Sequence, residues 1–203
     1  MPTFVNDGGS GVPSFVTKWG QMGESDGRFV TPQGVAVDSS GNVYVTDELN
    51  HRIQKFDSDG TFITEWGSEG EGYGQFNTPM GVAVDSSDNV YIGDGGNNRI
   101  QKFDSEGTFI TEWGSEGEGN GEFGNGEFRS PTRVAVDSSN NVYVVDTANH
   151  RIQKFSSSGT FMAKWGRRGY GDGEFRGPTG VAVDSSNNVY VAEQGNNRIQ
   201  KFG

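Results

Sequence analysis

Residues 34–67 read GVAVDSSGNVYVTDELNHRIQKFDSDGTFITEWG, and nearly the same line is written again further along the chain. VAVDSS begins at Val35, Val82, Val134 and Val181, RIQKF at Arg52, Arg99, Arg151 and Arg198, and Trp-Gly pairs stand at Trp19, Trp66, Trp113 and Trp165. The steps between the VAVDSS strings are 47, 52 and 47 residues. The longer step has a visible cause, because GNGEF fills 119–123 and again 124–128. Periods of this size belong to propellers and solenoids, and the strand pattern chooses between them. Within one unit, 34–38 and 42–47 flank Ser39-Ser40-Gly41, while 52–56 and 61–66 flank Asp57-Ser58-Asp59-Gly60. Both connections carry turn chemistry, so each unit reads as four short antiparallel strands, a to d. Apolar alternation along them is incomplete, as befits sheets covered on both faces. That is the pattern of a propeller blade.

Composition agrees. The 203 residues include 33 Gly, no Cys and one leucine, Leu49; Val, Ile and aromatic residues supply most of the remaining apolar side chains. Those types suit a pleated surface, and a helical bundle is excluded. The net charge of −11 and a pI near 4.6 repel phosphate backbones, which argues against broad nucleic-acid binding. No apolar run approaches the roughly 18 residues of a membrane span, and the start of the chain lacks the pattern of a signal peptide. Without cysteine there are no disulfides or thiolate metal sites, and the cell compartment stays open.

The repeat resembles the NHL family of β-propellers. Asn-His-Arg-Ile at 50–53 and 149–152 matches that family's signature, with Asn in place of His at Asn98 and Asn197. Linkers ending Gly-x-Phe-x-x-Pro at 74–79, 126–131 and 173–178 match as well. The resemblance covers residues 14–202 and implies a propeller, usually of six blades; its members include sensor ectodomains, protein-interaction modules and RNA-binding domains. The expected architecture is one all-β domain over 1–203, with 1–13 a flexible N-terminal segment. Its units are 34–66, 81–113, 133–165 and 180–202, the last lacking strand d. Residues 14–19 (SFVTKW) match strand d, so closure of a four-bladed ring by that segment against 198–202 is expected. A monomer is favoured because local closure has the higher effective concentration. The alternative is a pair of chains exchanging d strands into a ring of eight blades.

Most of the chemically suggestive residues have a structural reading. Asp47, Asp94, Asp146 and Glu193 end the b strands, five residues before Arg52, Arg99, Arg151 and Arg198. A metal ring is one reading; recurrence in every unit favours carboxylates that hold the b–c turn. Asp38, Asp85, Asp137 and Asp184 precede Ser-Ser and read as turn formers. The two histidines, His51 and His150, lie inside the repeat motif and are too few for a three-histidine zinc site. The tryptophans read as packing between blades. No cofactor is expected.

Antiparallel topology puts the linkers and b–c turns on one face, and the a–b and c–d turns on the other. The a–b turns are nearly identical from unit to unit; the linker side varies. Candidate binding residues are therefore Gln33, Met80, Thr132, Arg133 and Thr179 around the channel, with Glu48, Leu49, Thr147 and Gln194 outside them. Arg133 replaces a repeat glycine. The expected function is non-catalytic binding of a protein, peptide or carbohydrate partner. A divalent-metal lactonase or lyase at the channel mouth is an alternative that needs converging ligands outside the repeat pattern. Single-stranded RNA binding is another, and needs more basic exceptions than Arg133, Arg167 and Arg168.

Overall fold

Each unit folds as an antiparallel meander because its turns have one low-energy route. Asp38 Oδ1 accepts the Ser40 and Asn42 backbone N–H groups at 3.0 and 2.8 Å, and Tyr44 donates to Oδ2 at 3.0 Å. The same set recurs at Asp85, Asp137 and Asp184. The computed structural model describes residues 13–122 and 133–203. Its first sheet holds β1 (Pro32–Val37), β2 (Val43–Asp47), β3 (Arg52–Phe56) and β4 (Phe62–Trp66), paired in that order. The second holds β5 (Pro79–Val84), β6 (Val90–Asp94), β7 (Arg99–Phe103) and β8 (Phe109–Trp113). The third holds β9 (Arg133–Val136), β10 (Val142–Asp146), β11 (Arg151–Phe155) and β12 (Phe161–Trp165). The fourth holds β13 (Pro178–Val183), β14 (Val189–Glu193) and β15 (Arg198–Phe202). The chain is an all-β propeller array of four blades.

The apolar cores lie between blades. Tyr44 and Ile53 of the first blade meet Val82, Val90, Ile92 and Phe103 of the second. Tyr91 and Ile100 meet Val134, Val142, Val144 and Phe155, and Tyr143, Val145 and Ile152 meet Val189 and Val191. Sheets sandwiched in this way bury both faces of their central strands, which is why β3 and β7 are buried at every residue while β4 alternates. Each rim tryptophan reaches the next blade: Trp66 packs 5.7 Å from Phe103 and Trp113 5.8 Å from Phe155. The approach demands a bare backbone. Gly107 has φ +83°, and a Cβ there would sit 2.7 Å from the Trp66 indole.

The structure does not pair residues 14–19 with β15, the contact that closure within one chain expects. Residues 14–19 form no strand, and the fourth sheet has three strands. β1 packs on β5, β5 on β9 and β9 on β13, with no comparable contact returning from β13 to β1. Val35 is 67% exposed and Ile199 69%, whereas Val82 is 8% exposed and Ile53, Ile100 and Ile152 are fully buried. The side chains that cover one another at the three internal junctions stand open on β1 and β15. Trp19 still takes a rim position, 5.9 Å from Phe56 and over Gly60, but at the first blade's outer side.

Candidate functional site

The linker-side face is built on a buried polar hub in each blade. Asp94 Oδ1 accepts the Asn77 backbone N–H at 2.8 Å; Oδ2 accepts Arg99 Nε at 2.8 Å, Asn97 Nδ2 at 2.9 Å and Gln101 Nε2 at 3.2 Å. Arg99 then donates to the Glu71, Gly72 and Gln75 carbonyls, tying the incoming linker to the b–c turn. Equivalent hubs form at Asp47, Asp146 and Glu193. These carboxylates are committed to scaffold bonds, and no group of three or more His, Asp or Glu side chains arranged to hold a metal occurs among the described residues. The histidine position has a backbone cause. His51, Asn98, His150 and Asn197 all have φ of 52–53°, a left-handed conformation that Asn and His tolerate. His51 Nδ1 accepts the Thr78 N–H at 3.2 Å and His150 Nδ1 the Gly177 N–H at 3.0 Å, linking one blade to the next blade's linker.

The hubs and turns set the response to acid. Burial raises the carboxyl pKa values of Asp38, Asp85 and Asp137, but hydrogen bonds from Asn, Tyr and backbone groups outweigh it, so all three lie below the ordinary 3.8. Glu193 is likewise pulled below its ordinary value by Arg198 and its neighbours, against its burial. Asp94, the most enclosed, moves the other way because burial dominates. A depressed folded-state pKa contributes stability that is complete above the unfolded value and disappears as pH falls through the folded one. The expected result is a urea midpoint that is flat above about pH 5 and falls steeply below about pH 4. A midpoint at pH 3 equal to that at pH 7 would contradict it.

Around the channel, Gln33 stands at the centre of the predicted set. Its Nε2 donates to Glu48 Oε2 at 2.6 Å, and its Oε1 accepts Arg133 Nη2 at 3.4 Å across the first and third blades. Arg133 is half-buried, and the loss of hydration lowers its guanidinium pKa. Met80 is half-buried in β5, Thr179 is exposed in β13, and Leu49 is exposed on a one-turn 3-10 helix, Glu48–Asn50. Gln194 is also exposed. Two expected contact residues turn inward instead. Glu48 is 3% exposed, and Thr147 is 5% exposed with its Oγ1 bonded to the Pro178 carbonyl at 2.8 Å. Thr132 lies outside the described residues.

Sequence reasoning missed the extent of a basic cluster beside the third blade. His150, Lys164, Arg167 and Arg168 line an open cavity of about 490 Å³. Arg176 stacks 5.4 Å over the exposed Tyr170 ring and donates to its hydroxyl at 2.8 Å. Burial, then Arg168 and Arg176, hold His150 below its ordinary pKa, so its imidazole is neutral. The signal was present in the linker text: GRRGYGDGEFRGP at 166–178 stands where 67–79 reads GSEGEGYGQFNTP.

Four radially packed blades, each anchored by an Asp/Glu–Arg–Gln hub, define a repeat β-propeller. The NHL repeat pattern matches residues 29–56, 76–103, 128–155 and 175–202, more than half of the chain. The chain belongs to the NHL repeat family. Part of it is 49% identical over 43 residues to the B-box type zinc finger protein ncl-1 of Caenorhabditis elegans, covering 21% of this chain and 5% of that protein. It is similarly 46% identical over 43 residues to Protein brain tumor of Drosophila melanogaster, covering 21% of this chain and 4% of that protein. The matched stretches are thus about one-twentieth of those relatives' length. A solved streptogramin B lyase superposes with a TM-score of 0.62 at 18% identity, over 84% of this chain and 54% of the lyase. That likeness concerns the fold. No helix among the described residues is long and apolar enough to cross a membrane.

Proposed function

We propose that the chain is a non-catalytic recognition module whose linker-side face holds a protein, peptide or carbohydrate partner. The observation that carries this reading is the Glu48–Gln33–Arg133 chain of polar contacts at the channel, which breaks the repeat symmetry where the hubs preserve it. Arg133 supplies a planar donor fork suited to a carboxylate. Met80 in β5 and the exposed Leu49 on the turn after β2 supply apolar contact on the same face, held by a rigid frame. The NHL relatives are consistent with a binding role. The lyase neighbour supports an enzyme reading only through its fold, and the carboxylates such a reading needs are bonded within the hubs.

The test is a titration of isotope-labelled chain with short peptides bearing a free C-terminal carboxylate, and with their amidated forms. Backbone signals of Gln33, Met80, Arg133 and Thr179 are expected to shift with the free acids alone. Arg133→Gly restores the repeat residue, so it should change stability by less than about 1 kcal/mol while abolishing those shifts. Shifts centred on Ser39, Ser86 and Ser138 would place the working surface on the opposite face.

A further inference from the structure

We infer that the basic cavity at the outer edge of the third blade is a phosphate-monoester site, and that its occupant is a phosphorylated serine or threonine of a partner protein. β12 brings Lys164 to the cavity and the linker after it brings Arg167 and Arg168, set against the b–c turn at His150 and a wall at Glu118. β12 is the edge strand opposite β9, so this cavity lies across the whole blade from Arg133 and the channel residues. The two sites are independent.

Equivalent positions within the chain reveal what has changed. Lys164 pairs with Gln153 where Glu65 pairs with Gln54 and Glu112 with Gln101. Glu65 and Glu112 commit their carboxylates to Arg52 and Arg99; a lysine cannot, and Arg151 Nη1 is held by the Glu118 carbonyl at 2.6 Å. Arg168 bridges to Phe175 where Glu69 bridges to Phe76. The Arg176 carbonyl accepts the Gly195 N–H where the Asn77 carbonyl accepts that of Gly96. The backbone is the same at all three positions, and only the side-chain charge has been exchanged. Three exchanges toward positive charge meet at one junction of a chain whose net charge is −11.

These cations are not consumed internally. Arg167 pairs with Glu174 at 2.7 Å, but among the described residues Lys164, Arg168 and Arg176 have no ion-pair partner. Arg176 is held ready, stacked over the Tyr170 ring and donating to its hydroxyl. Arg168 and Arg176 both lie near enough to His150 to depress its pKa, so their guanidinium groups attend the same ring. His150 Nδ1 accepts the Gly177 N–H at 3.0 Å, which leaves Nε2 as the donor of the neutral imidazole. Two planar forks and an ammonium suit a group with three acceptor oxygens and nearly two negative charges. A carboxylate offers half that charge and fewer oxygens. The cavity is open and holds about 490 Å³, room for a phosphoryl group whose carrier stays outside, whereas a free metabolite is typically enclosed over most of its surface. A longer polyanion meets Glu116, Glu118 and Asp172 on the two linkers that form the site, so few of its phosphates gain a contact.

The test is a titration of isotope-labelled chain with an N-acetylated, C-terminally amidated Gly-Ala-phosphoserine-Ala-Gly peptide, its serine form, inorganic phosphate and a uridine hexanucleotide. Backbone signals of Lys164, Arg167, Arg168 and Tyr170 are expected to shift with the phosphopeptide and to stay still with the serine form. Lys164→Glu combined with Arg168→Glu returns both positions to residues that other blades carry there. The pair should weaken phosphopeptide binding by about tenfold or more, the loss of charge-assisted contacts. It should not lower the Tm, because a glutamate at 164 regains the ion pair that Glu65 makes with Arg52. Arg133→Gly should leave phosphopeptide binding unchanged, which separates this cavity from the channel. Equal shifts from the serine form, or unaltered affinity in the double variant, would overturn the proposal. So would tighter binding of the hexanucleotide, or inorganic phosphate binding as tightly as the phosphopeptide.

Discussion

Asp94→Ala is expected to cost about 3–5 kcal/mol, the range for removing one partner of a buried ion pair. The side chain is fully buried and accepts four hydrogen bonds, and its loss strands the Arg99 guanidinium, itself 7% exposed. Burial pushes the Asp94 carboxyl up from its ordinary value even against these hydrogen bonds. The penalty therefore comes chiefly from the groups left behind, not from the worth of the pair itself. Asp94→Asn keeps the Asn77 contact and should cost clearly less. Against a typical stability of roughly 5–15 kcal/mol, the alanine variant sits near the edge of folding. Urea denaturation reads it directly, and a loss under about 1 kcal/mol would mean that the hub is ornamental.

That hub was legible in the sequence because it is local. An acid, an Asn three residues on, an Arg five on and a Gln seven on recur in the same strand pair, so repetition alone identifies a scaffold motif. Blades, turn aspartates and the packing of Trp66 and Trp113 were legible for the same reason. Closure was not. The text SFVTKW shows that residues 14–19 suit a strand-d slot, but where such a segment docks depends on how whole blades pack, and no single repeat displays that.

The candidate residues of the linker-side face divide by exposure, and the buried ones share a cause. Glu48, Gly95 and Thr147 occupy the same repeat position and all three are buried, so variation there adjusts fit to the neighbouring linker. Thr147 spends its hydroxyl on the Pro178 carbonyl, and Glu48 accepts Gln33. Gln194, at the same position in the fourth blade, is exposed. Variation between units thus marks a recognition surface only where the side chain also reaches solvent. Leu49, Thr179, Gln33, Met80 and Arg133 meet that condition in whole or part.

Phe103→Ala is the second change with a large expected effect, about 3–5 kcal/mol for truncating a buried aromatic residue. Phe103 is fully buried between the second blade and its neighbour. Its ring lies 5.7 Å from both Trp66 and Phe76 and 6.0 Å from Phe109, so truncation unseats the rim tryptophan and the linker phenylalanine together. The sheets on either side are held by their own ladders and cannot collapse to fill the void, which keeps the cavity part of the cost high. Leu49→Ala is the control. The chain's single leucine is 48% exposed and outside the three cores, so its loss should stay within about 0.5 kcal/mol. For a domain of this length about 1 kcal/mol moves the midpoint by roughly 2–4 °C. Phe103→Ala should therefore melt at least about 6 °C lower, while Leu49→Ala melts within about 2 °C of the unmodified chain. Equal shifts from the two variants would show that the interblade layer does not carry the stability of the array.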